Sequence, residues 1–307
     1  MPIFVEIFTI FEKSKSIMKK NLYLLLGALA VVCGLTSCST TAENDFVTKQ
    51  GINKCFTLYT DATTGASSAG AETGYSIVIN YTKETCDISI TGLAIPNGKS
   101  YPAIELTNLP CKVSNNELLT ISALNVQSTI SGFSSAPVFN SVKCQLAHRT
   151  IDNNYMPSFL IQFSVDGYNI TSSLPDVYML GRTVSTGPDN AAFTTDETKY
   201  QITLNSSLDK ATIALSGAQF IGAMPALDIT FPDVPVTVTD GKILLAAQTL
   251  TPNMKDTPAP GFPITNLKGS INPVGESSIE FDCAPQTMPG VFHVVATIDP
   301  TGAASSK

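Results

Sequence analysis

Apolar and polar residues alternate through most of this chain. Tyr75, Ile77 and Ile79 share one face of a segment whose other face carries Ser76, Val78 and Asn80. Tyr200, Ile202 and Leu204 repeat that face later on, and Ile88 with Ile90 has the same spacing as Ile213 with Leu215. A period of two places successive side chains on opposite sides of an extended backbone, so these segments are predicted to be half-buried strands. Gly, Asn and Asp gather between them, as at Ser114-Asn115-Asn116 and Thr239-Asp240-Gly241, where turns are expected. Beyond the N-terminal apolar run, no long helical period stands out.

The alternation comes in two copies. Cys86 to Gly92, CDISITG, matches Ala211 to Gly217, ATIALSG, 125 positions further on. The same offset aligns Leu109-Pro110-Cys111-Lys112-Val113 with Val234-Pro235-Val236-Thr237-Val238, Leu118-Leu119 with Ile243-Leu244, and Val142-Lys143 with Leu267-Lys268. Phe159 to Asp166, FLIQFSVD, resembles Phe292 to Asp299, FHVVATID, at an offset of 133, as if loops had been inserted. Each copy holds about eight strand segments, enough for a small closed barrel. The expected fold is all-β, two tandem antiparallel β-barrels, with a β-sandwich as the alternative.

The N-terminus carries an address. Met18-Lys19-Lys20 followed by Leu22 to Val32 has the basic and apolar regions of a secretory signal, and the run is too short for a permanent membrane span. Leu35-Thr36-Ser37-Cys38 resembles the lipobox of bacterial lipoproteins; Ser37 is a small residue before the cysteine, whereas Val32 before Cys33 is not. The resemblance implies lipidation at Cys38, with a membrane as partner and an outer-membrane location facing the periplasm or the cell surface. Met1 to Ile17 reads as an upstream extension. The organisation expected is therefore extension and signal over 1–37, a lipidated tether over 38–52, and β-repeat domains over 53–174 and 175–307.

Charge narrows the partners. The chain has a net charge of −7; losing its first 37 residues removes four Lys and two Glu and takes that to −9. With no basic cluster, it is expected to avoid nucleic acid.

Gly222-Ala223-Met224-Pro225-Ala226-Leu227-Asp228-Ile229 and then Val234-Pro235-Val236-Thr237-Val238-Thr239-Asp240-Gly241 resemble the calycin-like domain of Bacteroidetes lipoproteins, in which a Met-Pro, an acid and a Val-Pro-Val-Thr run lie between adjacent strands. The first copy keeps Pro102, Glu105 and Leu109-Pro110 without the Met-Pro. The resemblance implies a calycin-type barrel whose cavity could hold an apolar molecule, and it brings no catalytic residue.

Candidate chemistry is sparse. Five cysteines remain after Cys33 and Cys38: Cys55, Cys86, Cys111, Cys144 and Cys283. By alternation Cys86, Cys111 and Cys144 face inward, as buried thiols or as partners in a disulfide within the first copy. The two histidines, His148 and His293, fall at non-equivalent places, and no GxSxG, HExxH, P-loop or dinucleotide fingerprint is present. Glu105 and Asp228 stand at matching positions of the two copies and by parity face solvent. Tyr59, Tyr101, Tyr155 and Tyr178 are the aromatic candidates for stacking a sugar on a loop or strand edge, in a chain without Trp. No enzyme activity, metal or cofactor is expected. Two readings follow: a module binding a small apolar or amphipathic ligand inside a barrel, or a structural or adhesive surface protein that binds proteins or glycans. Large inward residues such as Tyr75 and Tyr200 weigh against an open interior.

Overall fold

The computed structural model describes residues 46–114, 118–130, 136–151, 154–285 and 290–298, with backbone alone at 148–151, 154–156 and 298. Cys38 and the whole signal lie outside the described residues.

All regular structure among the described residues is strand. The first group comprises β1 (Val47–Asp61), β2 (Ser67–Ala69), β3 (Thr73–Asn80), β4 (Thr85–Ala94), β5 (Ser100–Val113), β6 (Leu119–Thr129), β7 (Val138–Ile151), β8 (Asn154–Val165) and β9 (Tyr168–Ser173). The second comprises β10 (Asp176–Thr186), β11 (Ala192–Thr195), β12 (Lys199–Leu204), β13 (Lys210–Ala218), β14 (Leu227–Thr239), β15 (Lys242–Leu250), β16 (Asn253–Met254), β17 (Thr257–Pro258), β18 (Ile264–Ile271), β19 (Ser277–Cys283) and β20 (Phe292–Ile298). The first strand begins at Val47, inside the stretch read from sequence as tether.

Each group closes on itself. Strand order β1-β3-β4-β5-β6-β7-β8-β9 returns to β1, with β2 paired on β1. In the second, β10-β12-β13-β14-β15-β18-β19-β20 returns to β10, with β11 paired on β10 and a β16–β17 hairpin on β14. Both are eight-stranded antiparallel barrels, and closure excludes the two separate sheets of a sandwich. The apolar face points into each lumen and the polar face outward, the inverse of a membrane-spanning barrel, whose outer band is apolar.

Pairing register tests the repeat residue by residue. Cys86 pairs with Leu109 and Ala211 with Val234, as the sequence match requires, and the glycines ending the two matched segments, Gly92 and Gly217, both adopt left-handed φ values of 75° and 69°. Three alignments move. Leu119, not Leu118, answers to Ile243, because the turn in the first copy is one residue longer. Phe159 to Val165 lies on β8 while Phe292 begins β20, so those segments are not counterparts. Ring position and register instead match Ile161-Gln162-Phe163-Ser164-Val165 on β8 with Ile279-Glu280-Phe281-Asp282-Cys283 on β19. Apolar alternation is alike on neighbouring strands, which is why it misled. Finally, Glu105 pairs with Ser89 and Thr230 with Ala214, so the counterpart of Glu105 is Thr230 and not Asp228.

Among the described residues, both lumens are packed with buried apolar side chains. Ile77, Ile88, Ile90, Ile104, Phe139 and Phe159 are completely buried in the first barrel, and Ile202, Ile213, Phe231, Ile279 and Phe281 in the second. Full burial of a side chain of that size contributes about 1.5–3 kcal/mol. Rings interlock, with Phe281 edge-on to both Phe231 and Phe220 at centroid separations of 5.2 and 5.8 Å. Met224 of the Met-Pro pair enters the same core, and the Gln219 side chain holds its loop by donating to the Met224 carbonyl at 2.6 Å.

Tyr75 and Tyr200 occupy equivalent lumen positions, but their hydroxyls meet different surroundings. In the first barrel Tyr75 donates to Ser172 (2.7 Å), Ser172 is 2.9 Å from Thr57, and Thr57 donates to Thr73 at 2.9 Å. Since Thr57 has one proton and donates it to Thr73, Ser172 must donate to Thr57, giving a directed chain in which each hydroxyl is satisfied. In the second barrel Ala296 stands where Ser172 would be. Tyr200 bonds Thr183 at 2.6 Å, and the buried Thr198 hydroxyl, equivalent to that of Thr73, has no partner.

Candidate functional site

The residues singled out from sequence do not converge. Cys55, Cys86, Cys111, Cys144 and Cys283 are all buried and free, so the disulfide alternative is not realised. Burial pushes the Cys55 and Cys283 thiols up to about 12, leaving them protonated small hydrophobes. Glu105 accepts a bond from Ser89 (2.6 Å) and Asp228 from the Gly217 amide (3.1 Å), both on outer faces of different barrels. Tyr59 is a lumen residue, 1% exposed, and no surface platform. Its ring is approached so closely by Gly70 that a Cβ there would lie 1.9 Å from Tyr59 Cε2. Tyr101 donates to Asp166, which also pairs with Lys99 at 2.8 Å, while Tyr178 accepts from Gln201 at 3.1 Å. The side chains of His148 and Tyr155 lie outside the described residues.

A groove does exist, where the two barrels meet. Phe56 and Leu58 point outward from β1 and pack against the core of the second barrel. Beside them the β14–β15 hairpin of the second barrel rests on β8. Its two-residue turn, Asp240-Gly241, has φ values of 47° and 74°, the left-handed pair that a tight hairpin requires. Gly241 is needed twice over, because a Cβ there would sit 2.9 Å from Leu160 Cδ2 and 3.3 Å from Gln162 Nε2. The hairpin tip thus forms a wall, and the outer face of β1, β7, β8 and β9 forms the floor, of a groove of about 310 Å³.

Pairing register lays the floor out as a grid. One row across the strands is Thr60, Asn169, Ser164 and Ser141; the next is Leu58, Thr171, Gln162 and Lys143. In the first row Ser164 donates to Asn169 (2.6 Å) and lies 3.2 Å from Ser141. In the second row, among the described residues, Thr171, Gln162 and Lys143 have no side-chain hydrogen bond, nor has Asp240 on the wall. Sequence reading missed these residues; the corrected alignment of β8 with β19 is the signal that exposes them.

The second barrel carries the same grid in charged form. Thr186, His293 and Asp282 stand where Thr60, Asn169 and Ser164 stand, Thr265 and Asn266 share the place of Ser141 at a bulge, and Glu280 and Lys268 replace Gln162 and Lys143. Here the groups satisfy one another. Asp282 lies 2.7 Å from His293 Nδ1 and accepts from Asn266 at 2.8 Å, and Lys268 pairs with Glu280 at 2.9 Å. Partial burial works against the Asp282 charge, yet the bonds from Asn266 and His293 hold its carboxyl below the ordinary value. Both ring nitrogens of His293 face carboxylates, Asp282 and Glu280, and among the described residues no serine is bonded to either.

No family model matches this chain, and no curated protein matches it. Among solved structures it is similar to a Bacteroides fragilis protein described as an outer membrane protein, at 18% identity and a TM-score of 0.33 over 81% of this chain and 96% of the other. A protein of unknown function from Nostoc punctiforme is 8% identical with a TM-score of 0.22 over 80% and 94%. Transferrin binding protein B from Haemophilus parasuis is also 8% identical, with a TM-score of 0.23 over 82% and 76%. The functional reading therefore rests on this chain's own geometry.

Proposed function

We propose that this protein is a non-enzymatic binding module of the bacterial cell envelope, tethered through Cys38, whose barrels are filled scaffolds and whose recognition site is the groove between them. The observation that carries this reading is the contrast between the two kinds of space. Along the described residues the lumens are lined by completely buried Ile and Phe side chains, which occupy the space that a calycin-type cavity would leave for an apolar ligand. The barrel junction instead offers an open polar groove at the lower end of the size of ligand sites, in the place where such sites favour domain interfaces. Lipidation at Cys38 would hold that groove in the envelope, and the acidic body keeps it from nucleic acid.

The test is a two-dimensional amide NMR titration of the chain from Ser39 onward with lipids, peptides and saccharides. Shifts are expected on β7 to β9 and on Val238 to Asp240. A slow-exchange response centred on Ile77, Ile88 and Phe281 would instead return the protein to the carrier reading.

A further inference from the structure

The ligand class follows from how the duplicated grid diverged, and we infer that the inter-barrel groove binds a neutral saccharide. This inference rests on the groove being the recognition site. Lys143 and Lys268 are equivalent residues on β7 and β18. Lys268 is bound to Glu280, while Lys143 faces Gln162 and has no ion pair among the described residues. The second copy therefore closes its hydrogen-bonding capacity internally, and the first leaves it open toward the groove. Free groups there are the ammonium of Lys143, the carboxamide of Gln162, the hydroxyl of Thr171 and the carboxylate of Asp240. Together they supply donors and acceptors in mixture, which is what a sugar hydroxyl, itself both donor and acceptor, requires.

Charge and spacing restrict the class further. One lysine and one aspartate are the charged residues lining the groove, so an anionic or cationic ligand would meet as much repulsion as attraction. Same-face neighbours on a sheet are about 6.8 Å apart along a strand and about 4.8 Å across strands, which presents the polar groups at the separations of hydroxyls across adjoining pyranose rings. The floor contains no exposed aromatic ring, so recognition is by hydrogen bonds and fast-exchanging.

The experiment is saturation-transfer NMR and calorimetry on the chain from Ser39 onward with neutral trisaccharides of glucose and mannose, repeated on Gln162→Ala and on Glu280→Ala, its equivalent in the second barrel. Both residues are outward and partly exposed, and a thermal melt checks that each variant is folded. Binding that weakens about tenfold in Gln162→Ala and is unchanged in Glu280→Ala is the expected result. If no neutral trisaccharide binds but a peptide or an acidic polysaccharide shifts the groove amides, the saccharide assignment falls and the groove reading stands. If trisaccharide binds equally to Gln162→Ala and to the parent, the groove reading itself falls.

Discussion

The outer faces of β7 to β9 and of β18 to β20 occupy the same place in two copies of one barrel, yet one is a self-satisfied charged network and the other an uncharged row beside a free lysine. Inside the barrels the contrast runs the opposite way round. The first lumen threads four hydroxyls into one donor chain, whereas the second has replaced Ser172 with Ala296 and left Thr198 alone. Duplication gives each position a control of identical backbone and different neighbours. What the pairs teach is that the ring order of the strands survived while polar groups were free to change, at the cost of a buried hydroxyl without a partner at Thr198.

The largest expected effect comes from substituting the two equivalent lumen threonines. Thr73→Val removes the acceptor of Thr57 and strands a buried hydroxyl, which costs about 1–3 kcal/mol. Thr198→Val removes a hydroxyl that already has no partner, and the same change there should be neutral or stabilising by up to about 1 kcal/mol. Urea unfolding of both variants measures the pair. Equal destabilisation would mean that the hydroxyl chain contributes nothing and the comparison of lumens fails.

Next in size is the hairpin tip, which belongs to one barrel and is confined by the other. Gly241→Ala should cost about 1–2 kcal/mol, part from a left-handed φ of 74° and part from the approach to Leu160. The two parts separate in a double-mutant cycle with Leu160→Ala, which removes the contact and leaves the backbone strain. A coupling near zero would show that the barrels do not press on each other at this point.

Much of the fold was legible from alternation and self-similarity. Inward parity of Tyr75, Tyr200, Cys86, Cys111 and Cys144 follows from a period of two, and each of them is buried. Alternation, however, does not number strands. FLIQFSVD and FHVVATID share a pattern that any half-buried strand shares, so similarity alone aligns β8 with β20 and leaves the grid that faces the groove hidden. The groove residues Ser141, Lys143, Gln162 and Thr171 are ordinary outward polar positions on three strands. They become a site only when closure of the ring and docking of the Asp240-Gly241 turn set them beside a wall, which depends on contacts between distant segments. Filling of the lumens is likewise a matter of packed volume that polarity patterns do not encode.

The smallest effect sharpens the comparison of the grids. Asp282 has its carboxyl held below the ordinary value of about 3.9. A depressed carboxyl contributes stability that is fully present above the unfolded value and is lost as pH falls through the folded one. Its counterpart Ser164 does not titrate, so Asp282→Ser converts the second grid toward the first. The variant should lose a few tenths of a kcal/mol at pH 7, as expected for a partly exposed network. It should then lose less than the parent between about pH 5 and pH 3, so that the two melting temperatures converge in acid. Asp166 in the first barrel is also held low, by Lys99 and Tyr101 against its partial burial, but it titrates alike in both proteins and cancels in the difference. A gap between parent and variant that stays constant down to pH 3 would mean that Asp282 holds Asn266 and His293 by geometry alone, and that the charge separating the two grids has no energetic weight.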